Sequence, residues 1–235
     1  LAALAAFVFY ASSLPTSSML KTSLLMGALY ALLAVSMNLL NGVTGQFSLG
    51  QAGFMLIGAY AYAIFAIPAA DHEAVYQYFN GGVLQFSIPE ILMNALGGEG
   101  SFGGFLGQYL GMFLLILFAG LLTAGIAFLI GIPVLRLKSD YLAIATLGFA
   151  EILRAFFQWN TLGPVTNGSN ILRNFATYET ALFPVIFAGL CVALIVLLIN
   201  STYGRAFQAI RDDEIAAEAM GVNLFKHKEL AFVVS

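Results

Sequence analysis

The sequence has 235 residues, of which 60% are hydrophobic and only 9% are charged, with a formal net charge of −3. Soluble domains carry roughly 25% charged residues, and the few polar groups present here could not cover the surface of one. Together with a mean hydropathy of +0.91, this composition excludes an ordinary soluble domain and indicates an integral membrane protein. The single cysteine, Cys191, excludes an intrachain disulfide framework and a cysteine-cluster metal site.

Apolar stretches of about 20 residues, the length that a helix needs to cross the hydrocarbon core, recur along the chain. They predict an all-α, polytopic bundle of transmembrane helices. The predicted spans are residues 1–14 (the tail of a first span), 22–40, 52–70, 105–135, 141–159, 181–199 and a last one from 230. Span 105–135 is over-long for a core of roughly 30 Å, so we expect tilt, extension beyond the bilayer or a break near Gly131 and Pro133. Because apolar runs reach both ends, we expect residues 1–235 to be a single transmembrane domain, truncated at both ends.

Charged residues in the predicted loops indicate the orientation of the spans. Segment 71–104 is acidic and lacks Lys and Arg, whereas 136–140 and 201–229 are rich in basic residues. The positive-inside rule therefore places the two basic segments in the cytoplasm and the acidic one outside, and leaves only Lys21 and Arg173 as outside basic residues. The acidic segment holds Asp71, Glu73, Glu90 and Glu99, and the basic segments hold Arg136, Lys138, Arg205, Arg211, Lys226 and Lys228.

Glycine and polar residues crowd into 41–58, between two predicted spans. Glycine favours broken helices, and irregular backbone at membrane depth is stable only when it is buried in protein or faces a watery cavity. Two interpretations follow: a broken or re-entrant element beside a translocation path, or a cytoplasmic loop next to a small-residue helix interface. The polar candidates for the path in this segment are Asn41, Gln46 and Ser48.

Predicted span 141–159 contains a charged pair, Glu151 and Arg154, three residues apart and hence on one helix face. Charges within a membrane are costly and face a bundle interior or a cavity. The pair is therefore a polar patch on the pathway, an internal ion pair that locks helices together, or a feature near the interface. Thr146 begins a short stretch, Thr146–Ala150, which resembles Ser48–Ala52, and transporters are often built from repeats.

Residues 205–224 form a charged, helix-prone segment between two predicted spans. Asp212 or Asp213 can cap a short helix, and Gly221 suits its end. Between these caps, Ile215, Ala216, Ala219 and Met220 form an apolar stripe at helical spacing, with Glu214 and Glu218 beside it. Such a helix is either a docking surface for a peripheral partner or an element that lies on its own protein or on the membrane interface.

The sequence lacks the residues that several classes of function require. No Lys follows a Gly, so no phosphate loop is present, and ATP hydrolysis would need another chain. His72 and His227 lie on opposite sides of the membrane in the predicted topology, which leaves no histidine metal site or Ser–His–Asp arrangement. The sequence has no basic, aromatic-rich segment of the kind that binds nucleic acids.

Four segments together resemble the inner-membrane permease subunits of ABC importers for branched-chain amino acids, and the M subunit of the Liv system more than its H partner. They are residues 40–60, 135–154, 163–171 and 204–232, which occur in the family's order. The resemblance implies a multi-pass permease fold in the inner (plasma) membrane, with broken or re-entrant helices possible. It also implies transport of Leu, Ile or Val by alternating access, with no catalysis and no cofactor on this chain.

The same resemblance implies partners: a second homologous permease subunit, two cytoplasmic ATPase subunits that hold ATP and Mg²⁺, and an extracytoplasmic substrate-binding protein. Residues 201–229 would be the cytoplasmic coupling segment, although Ile215 stands where the broad ABC pattern has Glu. The residues that the resemblance assigns to ATPase coupling are Arg211, Asp212, Glu214, Ala216, Ala217, Glu218, Met220 and Gly221. The candidates for the translocation path are Asn41, Gln46, Ser48, Thr146, Glu151 and Arg154.

Two alternatives stay open at this stage. The same architecture would serve an ABC permease for urea or short amides. An ion-coupled secondary carrier or an intramembrane enzyme would use Glu151 and would work without an ATPase.

Overall fold

The computed structural model describes residues 18–79, 81–84, 86–98, 101–137, 139–178 and 181–235. Within these ranges there is no β-strand, and the all-α prediction is confirmed. We number the α-helices α1 (Met19–Met37), α2 (Gln51–Ala66), α3 (His72–Val75), α4 (Ile88–Ala95), α5 (Phe102–Val134), α6 (Ser139–Phe157), α7 (Gly163–Thr166), α8 (Leu182–Ile199), α9 (Thr202–Asp212), α10 (Glu214–Ala219) and α11 (Leu224–Val234). A π-helix, Asn38–Val43, continues α1, and 3-10 turns at Ala69–Asp71 and Asn160–Leu162 precede α3 and α7.

Among the described residues, three helical stretches are long and apolar enough to cross a membrane: Met19–Val43, Phe102–Val134 and Leu182–Ile199. They correspond to the predicted spans 22–40, 105–135 and 181–199. Side chains on α5 and α8 such as Leu121, Leu129 and Leu197 are at least 66% exposed, as expected where lipid replaces water as the surrounding solvent. The predicted span 1–14 lies outside the described residues, as do Glu99 and Lys138.

Two further stretches have the length and composition of a broken span or of a re-entrant loop, and each is a bent pair of helices. Gln51–Ala66 meets Ala69–Val75 at 100°, and Tyr141–Phe157 meets Asn160–Thr166 at 55°. The straight span predicted over 52–70 is therefore wrong at its end, where Ile67 adopts extended backbone. Its neighbour Pro68 explains the break, because a residue that precedes proline avoids the α region.

Two other boundaries differ from the prediction. Helix α5 runs through Gly131 and Pro133 for 33 residues without a break, because Pro133 lies in the last turn, where one lost hydrogen bond does not interrupt the helix. At about 1.5 Å per residue it is roughly 50 Å long, so tilt or extension beyond the bilayer remains the expectation. The last helix begins at Leu224 rather than at 230, because the side chain of Asn223 accepts a hydrogen bond from the backbone N–H of Lys226 at 3.0 Å and caps it.

The described residues separate into two compact units. Unit 1 comprises the described residues up to Ser48, together with Gly131–Leu142 and Tyr178–Ser235, and unit 2 comprises Leu49–Ile130 and Ala143–Thr177. The single domain expected over 1–235 stays a prediction.

In unit 1, several helices pack against the π-helix. It contacts α1, α8, α9 and α11, and its residues Leu39 and Leu40 are almost fully buried. Helix α1 packs along α8. Helix α9 follows α8, and its apolar residues Phe207 and Ile210 are buried. The interruption between α1 and α2 is therefore a packed part of unit 1 as far as Ser48.

In unit 2, the loops after α2 and α6 pack around Tyr76. Its ring is buried with Ile67, Val75 and Leu172, and its hydroxyl donates to the carbonyl of Val165 at 2.9 Å. Burial raises the pKa of Tyr76 to about 12, so its hydroxyl stays a hydrogen-bond donor at physiological pH. The ring also stacks on His72 with 5.7 Å between the centroids.

Candidate functional site

The coupling segment, residues 201–229, folds as three short helices, of which α10 is the candidate docking element. Asp213 has extended backbone (φ −159°, ψ 112°), and its Oδ1 accepts hydrogen bonds from the backbone N–H groups of Ile215 and Ala216 at 2.9 and 3.1 Å. Asp213, rather than Asp212, is thus the N-cap of α10. An N-cap of this kind stabilises a helix by about 1 kcal/mol, a large share for a helix of six residues.

The C-terminal end of α10 is also capped. Gly221 adopts φ +88°, its N–H donates to Glu218 at 2.9 Å, and the N–H of Val222 donates to Ala217 at 3.0 Å. This pair of bonds is a Schellman motif, which needs a left-handed residue at the position of Gly221. Closure at both ends gives α10 a fixed shape without a long helix.

Helix α10 presents its apolar stripe to the outside. Ile215 is 81% exposed and Met220 is 86% exposed, whereas Ala217 on the opposite side is buried. Glu214 and Glu218 are exposed beside the stripe. Two large apolar side chains with acidic neighbours are therefore exposed at the surface. This exposure argues against the interpretation that the stripe lies on its own protein.

Two contacts join the coupling segment to its surroundings in unit 1, one made by α10 and one by the end of α9. Lys228 of α11 places its Nζ 2.7 Å from Oε1 of Glu214, and the Lys228 side chain is only 14% exposed. On the other side, Nη1 of Arg211 donates to the carbonyl of Gly42 at 3.3 Å, while Nε and Nη2 bind Oδ1 of Asp212 at 3.2 and 3.1 Å. The docking element α10 is therefore attached to α11, and the preceding helix α9 is attached to the π-helix.

Gly45 makes the second attachment possible. It adopts φ +73°, and a Cβ atom at this position would lie 2.7 Å from Cγ of Arg211. Glycine accepts that backbone conformation without strain and leaves room for the arginine stem. The glycine-rich segment and the coupling segment, which the sequence singled out separately, thus meet at Arg211.

The polar path candidates of unit 1 lie in the π-helix (Asn41) and just after it (Gln46 and Ser48). The Asn41 side chain accepts a hydrogen bond from the backbone N–H of Ser48 at 3.1 Å, which folds the loop back on itself. Gln46 is buried, with 5% of its surface exposed, and neither its amide oxygen nor its amide nitrogen has a hydrogen-bond partner among the described residues. Ser48 is buried beside them.

The candidates of unit 2 form separate features along α6. Buried Thr146 accepts from the backbone N–H of Leu49 at 3.0 Å, and a Cβ on Gly53 would lie 2.9 Å from Cα of Ala150. The two stretches with similar sequence thus cross closely at small residues. Glu151 and Arg154 form an ion pair at 3.0 Å, with side chains about 60% exposed. This pair joins one turn of α6 and does not bridge two helices.

Sequence reasoning missed the π-helix, the Arg211–Gly42 contact and a buried carboxylate on α11. Glu229 is 5% exposed, and within the described part of the chain neither of its oxygens has a hydrogen-bond partner. A Cβ on Gly131 would lie 2.5 Å from its Oε1. A signal existed for two of these features. Asn38 and Asn41 interrupt an apolar run, and Glu229 directly precedes one.

Comparison with known proteins gives a consistent result. The family model described as branched-chain amino acid transport system / permease component matches residues 19–235. The chain is 29% identical over 244 residues to the high-affinity branched-chain amino acid transport system permease protein LivM of Salmonella typhimurium, covering 89% of this chain and 48% of the relative. LivM of Escherichia coli is 29% identical over 241 residues, covering 88% and 47%. The chain thus spans about half the length of these relatives, and no solved structure was found to match it.

Proposed function

We propose that this chain, which belongs to the permease-component family of branched-chain amino acid transport systems, is a transmembrane subunit of an ATP-driven importer for leucine, isoleucine and valine. Both LivM relatives are named for high-affinity transport of branched-chain amino acids, which supports this cargo. The observation that carries the ATP-driven mechanism is the exposed apolar surface of α10, which is capped at both ends and attached to the spans.

The proposal places the chain in the inner membrane with a second homologous permease subunit, two cytoplasmic ATPase subunits and an extracytoplasmic substrate-binding protein. ATP and Mg²⁺ are assigned to the ATPase subunits because this sequence has no phosphate loop. Residues 71–104 then face outwards and residues 201–229 face the cytoplasm, as the loop charges predict.

Docking would use Ile215 and Met220 as apolar anchors in a cleft of the ATPase subunit. A few buried apolar or aromatic anchors commonly provide most of the free energy of an interface, with polar residues at the rim. Glu214, Glu218 and Asp212 are the acidic rim here, and they complement a basic cleft.

Movement of a docked ATPase subunit would reach the membrane through two connections. The Glu214–Lys228 ion pair connects α10 to α11, and the Arg211–Gly42 hydrogen bond connects α9 to the π-helix. π-Helical turns occur frequently at functional sites, because their extra residue can shift register. The spans would then rock between inward-open and outward-open states, as in other transporters with alternating access.

The cargo on this account is zwitterionic with an apolar side chain, so its path needs few charges and some polar groups. Asn41, Gln46 and Ser48 of unit 1, and Thr146 with the Glu151–Arg154 pair of unit 2, are the residues that we assign to the path. Their burial or their position along the bent helices supports this assignment.

The test is uptake of labelled leucine by membrane vesicles that hold the full-length chain with its partner subunits and binding protein, with and without ATP. We expect ATP-dependent uptake that excess isoleucine and valine suppress and urea does not. Suppression by urea, or assembly without leucine uptake, would move the cargo to urea or another small amide. Uptake by this chain alone would instead identify a secondary carrier.

A further inference from the structure

The exposed face of α6 carries charge, unlike the exposed faces of α5 and α8. Helices α5 and α8 contain no charged residue, so lipid can cover their exposed side chains. On α6, the side chains of Glu151 and Arg154 are about 60% exposed. The exposed face of α6 therefore needs a different neighbour from those of α5 and α8.

The Glu151–Arg154 ion pair lies close to the middle of its predicted span. Tyr141 and Trp159, at the two ends of this span, are 65% and 56% exposed, and aromatic residues are typical of the two membrane interfaces. At about 1.5 Å per residue, Glu151 lies roughly 15 Å from Tyr141 and roughly 12 Å from Trp159 along the helix. Nε and Nη2 of Arg154 both lie 3.0 Å from Oε2 of Glu151, so the guanidinium points back along the helix and away from the nearer interface. Charges at this depth are costly in contact with lipid and normally face protein or a watery cavity.

The ion pair belongs to an exposed stripe on α6. Ile144, Gly148, Glu151 and Ala155, at spacings of three and four residues, are all exposed, whereas Thr146 on the opposite side is buried. A Cβ on Gly148 would meet no atom of the described residues within 4 Å. Small residues one turn before and one turn after Glu151 let a neighbouring transmembrane helix approach closely.

The ion pair is also complementary to a second pair of the same kind. Within the described part of the chain, Oε1 of Glu151 and Nη1 of Arg154 have no bonding partner, so each group can bind an opposite charge. Residues three apart are displaced sideways around a helix, which sets the acid and the base side by side. A two-fold axis along the membrane normal exchanges left and right between facing surfaces. A related subunit placed by such an axis would set a base opposite Glu151 and an acid opposite Arg154.

We propose that this face of α6, the stripe with Arg154 beside it, packs in the membrane against the second homologous permease subunit, whose facing helix carries a base opposite Glu151 and an acid opposite Arg154. The inference rests on the proposed function, which supplies the second subunit. The internal ion pair keeps the face neutral, so the separate subunit can insert into the bilayer before its partner covers the pair.

The first arm of the test is photo-cross-linking in the full importer in its membrane. A photoreactive p-benzoylphenylalanine in place of Ile152, which is 63% exposed beside the ion pair, should form an adduct with the second permease subunit on illumination. The control carries the same group in place of Leu190 on α8, which is 55% exposed, and should form no such adduct. Equal yields at the two positions overturn the inference. So does an adduct from position 152 with lipid alone, within this chain or with a second copy of it.

The second arm exchanges the two charges. Glu151→Arg with Arg154→Glu keeps an internal ion pair but reverses its direction across the face, so like charges oppose each other at the interface. Co-purification of the second subunit should fall at least about tenfold at an unchanged amount of inserted chain, because opposed like charges disfavour an interface strongly. Glu151→Gln with Arg154→Gln is the neutral control and should lose less. Normal co-purification of the exchanged variant identifies a purely internal pair and overturns the inference, and if that variant does not insert, the first arm decides alone.

Leucine uptake by the wild-type importer separates this inference from the proposed function. ATP-dependent uptake without the expected adduct overturns the interface alone. An adduct with the second subunit in a complex that takes up no leucine contradicts the proposed cargo and leaves the interface intact.

Discussion

The coupling segment and the Glu151–Arg154 turn of α6 are both charged regions of a chain that is otherwise apolar. In the coupling segment, charged side chains make contacts between elements: Asp213 caps α10, Lys228 of α11 pairs with Glu214 of α10, and Arg211 of α9 reaches Gly42. On α6, Glu151 and Arg154 pair only within their own turn, and both side chains are mostly exposed. A charged residue in a membrane protein thus indicates function most strongly when it connects elements that must move together.

The largest expected effect comes from the exposed stripe of α10. Ile215→Asp should reduce ATP-driven leucine uptake by about thirtyfold or more, because a central apolar anchor contributes at least about 2 kcal/mol to an interface. Co-purification of the ATPase subunits should fall in parallel, at unchanged amounts of inserted permease.

Ile171→Asp is the matched control for Ile215→Asp. Ile171 has the same exposure, 81%, but lies in unit 2. The Ile171→Asp variant should keep the ATPase subunits bound. Equal loss of the ATPase subunits in both variants would show that α10 has no special part in docking.

The next largest effect concerns the link between the coupling segment and the π-helix. Gly45→Ala should lower uptake about tenfold, because the left-handed backbone strains alanine by roughly 1–2 kcal/mol and the new methyl group displaces Arg211. The measurement is the initial uptake rate per inserted subunit.

Gly27→Ala provides the comparison for Gly45→Ala, since a Cβ on Gly27 would meet no atom of the described residues within 4 Å. It should transport normally. Full activity of Gly45→Ala would show that the contact of Arg211 with Gly42 has no part in the transport mechanism.

Double-mutant cycles compare the two ion pairs directly. For Lys228→Met with Glu214→Gln, we expect a coupling free energy near 1 kcal/mol, because Lys228 is largely buried. For Arg154→Met with Glu151→Gln, we expect under about 0.5 kcal/mol, as is typical of exposed pairs. The readout is thermal unfolding of the detergent-solubilised protein, and the reverse order of the two energies would refute the contrast.

The smallest effect is a pH dependence at Glu229. Burial raises the pKa of the Glu229 carboxyl, so its ionisation costs stability in the folded state. A raised folded-state pKa means that stability is fully present at acid pH and is lost as the pH rises through that pKa. Glu229→Gln should therefore match the wild type at acid pH and unfold roughly 2–4 °C higher at pH 8. A difference that grows towards acid pH would contradict this assignment.

Local sequence predicted the features whose causes are local. Span positions follow from apolar run length, and both caps of α10 follow from Asp213 and Gly221, although the sequence left Asp212 as an equal choice for the N-cap. The bend after α2 also has a local cause, because Ile67 precedes Pro68 and adopts extended backbone.

Features that depend on distant residues could not be read in the same way. The Arg211–Gly42 contact joins residues 169 positions apart. The burial of Glu229 against Gly131 likewise needs the fold, because spacing along one helix gives no information about another. These long-range arrangements contain most of the proposed mechanism.

The central claim, that α10 docks on an ATPase subunit, is tested most directly by cross-linking. Cys191 is the only cysteine, so Cys191→Ser gives a background in which Met220→Cys is the single thiol on this chain. In the assembled importer we expect a thiol-reactive cross-linker on Met220→Cys to capture an ATPase subunit, with a yield that changes when ATP is added. Efficient labelling of Met220→Cys by a small soluble thiol reagent, with no cross-link to an ATPase subunit in the same assembled complex, would contradict the account.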